Sequence, residues 1–257
     1  MRRGSLSHPA YLPTAILSAI LTAVTAHAGS GLSSGSSAGS AEIPDEPPIV
    51  IGTGDFNRDG IADVVEATSD GKDSGRHFLT ILLGRGDGTF RRMTPHNLIG
   101  RDPRALVVGD LNGDGNPDVI VGDGDGALQE FLGDGTGNVA DKGNIAALES
   151  VASIAIGHFT HDGHLDLVVS DFGSNSAIIL LGAGDGSFRR AWSFQLPRAG
   201  RQFHIATADF NKDGIADLVI TNEDDDNYEV MLGTGNGTFT YSPEFSHLRD
   251  PYTYCPS

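Results

Sequence analysis

Cysteine is almost missing from this chain of 257 residues. The single copy, Cys255, excludes an internal disulfide and leaves a free thiol or a link between molecules. Basic residues are scarce: 17 Lys and Arg stand against 34 Asp and Glu, for a formal net charge of -17. Binding phosphate needs a basic footprint, so nucleic acid is excluded as a partner. Long apolar runs are confined to the start of the chain, and nothing after residue 28 is apolar enough to span a bilayer. Helical apolar periodicity is missing between the acidic segments, which excludes a helical fold. Neither G-x-S-x-G nor H-E-x-x-H occurs. No catalytic constellation can be assembled, and the expectation is a protein that is not an enzyme.

Glycine and aspartate are abundant, and both are ordered along the chain. Asp55-Phe56-Asn57-Arg58-Asp59-Gly60-Ile61-Ala62-Asp63 puts side-chain oxygens at loop positions 1, 3, 5 and 9, with glycine at 6. That spacing wraps a loop around a hard cation, with position 7 adding a backbone carbonyl. The stretch recurs as Asp110-Leu111-Asn112-Gly113-Asp114-Gly115-Asn116-Pro117-Asp118 and as Asp209-Phe210-Asn211-Lys212-Asp213-Gly214-Ile215-Ala216-Asp217. A damaged copy lies between these two, His158-Phe159-Thr160-His161-Asp162-Gly163-His164-Leu165-Asp166. The starts are 55, 48 and 51 residues apart, the mark of one supersecondary unit used repeatedly. The three intact loops hold nine carboxylates, which repel one another unless a cation joins them.

Residues 1–28 read as a secretory signal peptide. Arg2 and Arg3 open it, an apolar run follows from Tyr11 to Val24, and Ala26-His27-Ala28 forms the cleavage site. The expected location is therefore outside the cell or in the periplasm, with no membrane span after cleavage. Residues 29–48 are a linker, rich first in Gly and Ser and then in Pro. From residue 49 to the end, the repeat can be laid out four times, over about 49–99, 104–150, 152–200 and 203–245. Each copy opens with a short strand and continues with the acidic loop. A second strand begins at the last Asp of that loop, as in Asp118-Val119-Ile120-Val121. A variable polar loop leads to a third strand ending in Leu-Gly, as in Ile178-Ile179-Leu180-Leu181-Gly182. A glycine-rich hairpin such as Gly182-Ala183-Gly184-Asp185-Gly186-Ser187-Phe188 then leads into a polar fourth strand. Four antiparallel strands per unit of about fifty residues describe a blade of an all-β propeller.

The pattern D-x-N-x-D-G-x-x-D, a strand, then L-G-x-G-x-G-x-F resembles the FG-GAP or VCBS repeats. Those repeats build the calcium-bearing propellers of integrin α subunits and of many secreted bacterial and lectin-like proteins. The resemblance implies Ca2+ in the loop between the first and second strands of each blade. By position its ligands would be Asp55, Asn57, Asp59, the Ile61 carbonyl and Asp63 in the first copy. They would be Asp110, Asn112, Asp114, the Asn116 carbonyl and Asp118 in the second, and Asp209, Asn211, Asp213, the Ile215 carbonyl and Asp217 in the fourth. In the third copy His158 and Thr160 replace the first two ligands, and imidazole suits calcium poorly. Asp162 and Asp166 are thus left at a weak or lost site. The blade count also departs from the family's usual seven. Four blades close a ring, leave it open, or are completed by self-association.

Other signals weigh less. Glu66 at position 12 gives the first loop EF-hand spacing, but Val121, Val169 and Ile220 stand there in the other copies. Arg85-Gly86-Asp87 is an RGD tripeptide, yet the same hairpin elsewhere keeps only the Gly-Asp or Gly-Asn turn chemistry. Glu223-Asp224-Asp225-Asp226 reads as solvated surface, and Trp192 with Phe194 as packing between blades. The expected function is a binding or adhesion module for an extracellular protein or glycan, with structural calcium. The ligand would sit on the face opposite the calcium loops, formed by about residues 67–77, 122–128, 171–176 and 221–228. The alternative is a hydrolase or lyase acting on extracellular polysaccharide.

Overall fold

In a computed structural model, four antiparallel sheets follow one another along the chain, and each acidic loop joins the first two strands of its sheet. The structure describes residues 50–69, 75–196, 203–222 and 227–242. The signal peptide, the linker, the Glu223–Asp226 run and Cys255 lie outside the described residues.

The first sheet contains β1 (Val50–Gly54), β2 (Asp63–Ser69), β3 (His77–Gly84) and β4 (Phe90–Arg92), with a short β5 (His96–Asn97) also paired to β3. The second contains β6 (Pro103–Gly109), β7 (Asp118–Asp123), β8 (Ala127–Gly133) and β9 (Val139–Ala147). The third contains β10 (Val151–Gly157), β11 (Asp166–Asp171), β12 (Ser176–Gly182) and β13 (Phe188–Gln195). The fourth contains β14 (Phe203–Ala208), β15 (Asp217–Asn222), β16 (Asn227–Gly233) and β17 (Phe239–Tyr241). Strands pair in sequence order, as in a propeller blade. The second strand of every sheet starts on the last Asp of its loop. The register repeats too: Val65 faces Ile81, Ile120 faces Glu130, Val168 faces Ile179 and Val219 faces Val230.

In the second and third sheets, each packed between two neighbours, central strands are buried on both faces; every residue of β7, β11 and β12 is buried. The core is divided among the junctions between sheets. Phe56, Val65, Ile81 and Leu83 of the first sheet pack on Val119, Val121, Phe131 and Val139 of the second. Leu111, Ile120 and Leu128 of the second meet Leu167, Val169, Ile178 and Leu180 of the third. Phe159, Val168, Ile179 and Leu181 of the third meet Ile205, Leu218, Ile220 and Phe239 of the fourth. Trp192 joins this third junction, stacked on Phe239 with ring centroids 6.3 Å apart. Among the described residues no core cluster joins the fourth sheet to the first. The described core thus joins the blades in sequence order, first to second, second to third and third to fourth.

The junctions share a tight fit at the end of each first strand. Gly54, Gly109 and Gly157 lie so close to the next sheet that a Cβ would stand 3.1 Å from Pro117, 2.9 Å from Leu165 and 2.9 Å from Ala216, respectively. Only glycine allows that approach without displacement. In the fourth sheet the same place is taken by Ala208, which is exposed. The residue after each loop's first position follows the same division. Phe56, Leu111 and Phe159 are at most 2 % exposed, whereas Phe210 is 43 % exposed. No helix among the described residues is long and apolar enough to cross a membrane.

Candidate metal loops

The three intact loops have one construction. Asp55 receives the Asp59 and Gly60 N–H groups at 3.1 and 2.9 Å, Asp110 those of Asp114 and Gly115, and Asp209 those of Asp213 and Gly214. Asn57, Asn112 and Asn211 each accept from the N–H two residues on and donate from Nδ2 to the Asp at position 5. Asp59, Asp114 and Asp213 in turn receive the N–H of Ile61, Asn116 and Ile215 at 2.7–2.8 Å. Position 4 takes a left-handed backbone in all three, with φ of 59° at Arg58, 75° at Gly113 and 64° at Lys212. Short Asp and Asn side chains suit such a coil because they bond backbone N–H groups two to five residues on.

The Asp at position 9 does something spacing did not reveal. Its two oxygens are held by two backbone N–H groups that flank the start of the second strand, one just after the first strand and one at the end of the third. Asp63 accepts from Phe56 and Gly84 at 2.8 Å each, and Asp118 from Leu111 at 2.8 Å and Gly133 at 2.7 Å. Asp217 accepts from Phe210 and Gly233 at 2.8 Å each. Asp166 of the damaged loop does the same with Phe159 at 2.9 Å and Gly182 at 3.0 Å. The carboxylate thus ties the loop to the end of the third strand in all four blades. The clue available in sequence was the invariable coupling of that Asp to a Leu-Gly strand end. A further interlock was also missed: the hairpin Gly137, Gly186 and Gly237 N–H groups each bond the carbonyl of Phe56, Leu111 or Phe159 in the preceding blade.

Burial and repulsion act together on these acids. Burial pushes Asp118 up to about 6, partly offset by its two backbone bonds, and the charges of Asp114 and Asp110 push the same way. Asp63 is raised for the same reasons, with Asp59 and Asp55 as the repelling neighbours. Arg58 reaches across from the first loop to the Asp114 carbonyl at 3.0 Å, bringing positive charge to the second loop. A cleft of about 560 Å³ lined by Asp55, Arg58, Asp110 and Asn116 separates the two loops.

Among the described residues no three His, Cys, Asp or Glu side chains converge into a ready ion cage. The acidic side chains are drawn onto backbone N–H groups instead. The donor chemistry nevertheless fits calcium. Each intact loop offers only hard oxygens, and in the first two the buried Asp is raised by burial and by like charges that a divalent cation would neutralise. Asp55, Asn57, Asp59, Ile61 and Asp63, with their counterparts in the second and fourth loops, are the residues that would hold it.

The third loop is built differently. His158 Nδ1 donates to the His164 carbonyl at 2.9 Å, and position 4, His161, is outside the left-handed region. Asp162 accepts from His164 N–H at 2.9 Å, and Thr160 makes only a long contact to Asp162 N–H at 3.4 Å.

The RGD turn behaves as turn chemistry. Asp87 Oδ1 accepts from Thr89 N–H and Oγ1, as Asp185 does from Ser187 and Asn236 from Thr238. One buried acid was not anticipated. Glu130 stands in β8 where the other sheets have Ile81, Ile179 and Val230, and its Oε1 lacks a hydrogen-bond partner. Burial pushes it up to about 7, aided by Asp118 and Asp185 and opposed by Lys142.

Successive four-stranded antiparallel sheets, each carrying an acidic loop between its first two strands, define a propeller-type repeat protein. The FG-GAP-like repeat matches residues 55–121, 110–169 and 158–220, and the FG-GAP repeat matches residues 203–240. The chain belongs to the FG-GAP repeat family. Among solved structures it is similar to a protein from Lactobacillus plantarum, at TM-score 0.55 and 13 % identity over 76 % of this chain and 55 % of that one. It is also similar to BBS1N in complex with ARL6DN, at TM-score 0.52 and 14 % identity over 79 % of this chain and 56 % of that one. These likenesses concern the fold alone, and the chain spans little more than half the length of either structure. No curated protein matches the chain.

Proposed function

We propose that this protein is a secreted, calcium-stabilised propeller-type module that binds an extracellular protein or glycan and is not an enzyme. The observation that carries the calcium reading is the threefold identical loop, oxygen-only and acidic, with Asp63 and Asp118 raised by burial and by the charges of their own loops. Calcium orders and neutralises these loops and takes no part in a reaction. The ligand binds at the opposite end of the blades. That end exposes Ile99 and Phe172, two of the four large hydrophobic residues exposed among the described ones. Its loops are firmly built: Asp171 accepts from Glu149 and Ser150 N–H, and Asp123 from Asp125 and Ala127 N–H. An ordered rim with isolated apolar side chains suits recognition. Secretion rests on the leader-like residues 1–28.

Thermal unfolding in millimolar calcium and in EDTA tests the metal reading. With affinities usual for extracellular modules, millimolar calcium adds about 0.4–1.4 kcal/mol per site, or roughly 1–4 kcal/mol for three. Coincident curves would overturn it. Glycan-array and surface-protein screens with Phe172→Ala and Ile99→Ser as controls test the binding face.

A further inference from the structure

We infer that His158 is a built-in replacement for the cation of the third loop. The oxygens that the loop spacing offers to an ion include the first side chain and the seventh carbonyl. In the third loop the first side chain is an imidazole, and its Nδ1 lies 2.9 Å from the seventh carbonyl, that of His164. A carbonyl only accepts, so Nδ1 carries the hydrogen and donates it. The oxygen that an ion would hold is thereby satisfied by the protein. The rest of the loop agrees. Without an acidic first position, no single side chain collects both the fifth and sixth N–H groups as Asp55, Asp110 and Asp209 do, and the fifth makes only its long contact to Thr160. The left-handed turn at position 4 is gone as well. The fold around the loop is kept by other means. Asp166 still ties Phe159 to Gly182, and the carbonyls of His158 and Phe159 accept the Ala216 and Gly237 N–H groups of the fourth blade at 3.0 Å each. The third loop is thus closed from within, and its blade holds its shape at any calcium concentration.

This inference rests on the calcium reading of the other loops, and its test separates the two. Calcium is titrated calorimetrically into the full chain and into a His158→Asp, Thr160→Asn double variant. Three ions for the parent and four for the variant support the inference. Four for the parent, or three for a variant whose circular dichroism is unchanged, overturns it. No ion for the parent and one for the variant overturns the calcium reading of the intact loops while supporting this one; none for either overturns both. A second measurement does not depend on the variant folding. The ring 15N shifts of His158 should show the Nδ1–H tautomer and stay unchanged on adding calcium. The Nε2–H tautomer, or a calcium-dependent shift of that ring, overturns the inference.

Discussion

The third loop and its three acidic counterparts occupy equivalent places and have diverged at one end only. Positions 1 and 3 have changed from Asp and Asn to His and Thr, and with them went the N–H contacts to the first side chain. Position 9 has not changed, and Asp166 makes the same two backbone bonds as Asp63, Asp118 and Asp217. The difference separates two jobs within one motif. The last Asp is architecture, because a buried blade centre needs its two N–H groups satisfied whether or not an ion is near. Positions 1 and 3 are the ones that vary, and on the calcium reading proposed above they are the ones given over to the ion.

The largest expected effect tests the architectural half. Asp118→Ala leaves two buried N–H groups without their charged acceptor and should cost about 3–5 kcal/mol in urea unfolding. Asp166→Ala should cost a similar amount, in EDTA as well as in calcium. A loss below about 1 kcal/mol for Asp166→Ala would break the equivalence. Next comes Glu130, the acid at a junction where the other blades are apolar. Its folded pKa, about 7, lies above the ordinary 4.5. The folded state therefore keeps a proton that the unfolded chain releases, and stability present below about pH 4.5 is lost as pH rises toward 7. In calcium-free buffer that loss should reach about 3 kcal/mol, and Glu130→Gln should flatten it. Equal pH dependence in parent and variant would exclude Glu130 as the source.

A smaller effect addresses the ion. Asp59→Ala, Asp114→Ala and Asp213→Ala together should abolish the calcium-dependent gain of roughly 1–4 kcal/mol and leave melting in EDTA almost unchanged. A marked loss in EDTA would mean that these side chains also hold the fold. The smallest effect is expected at the exposed end of the last blade. Phe159→Ala empties a buried junction and should cost about 3–5 kcal/mol, whereas Phe210→Ala at the exposed end should cost less than about 1 kcal/mol.

Much of this architecture was legible in the sequence because the repeat is fourfold. Four copies of loop, aliphatic strand and Leu-Gly-x-Gly fix strand order and register without any long-range information. That the third loop departs from the other three was legible as well, since His158 stands where an acid belongs. What His158 does there was not, because a side chain reaching a carbonyl six residues on depends on backbone path. The double bond of each position-9 Asp was hidden for a related reason. Its partners Gly84, Gly133, Gly182 and Gly233 are 15–21 residues away and meet it only once the hairpin has formed. Glu130 was hidden among residues that look like an ordinary polar strand.

Ala208 sets the fourth sheet apart from the other three. Three junctions depend on a glycine that admits the next sheet, and the fourth sheet has placed a methyl group at that spot. Another sheet of the same kind could not seat there at the same distance without shifting. Whatever packs on that face of the fourth sheet must leave room for a methyl group that the other three junctions do not contain.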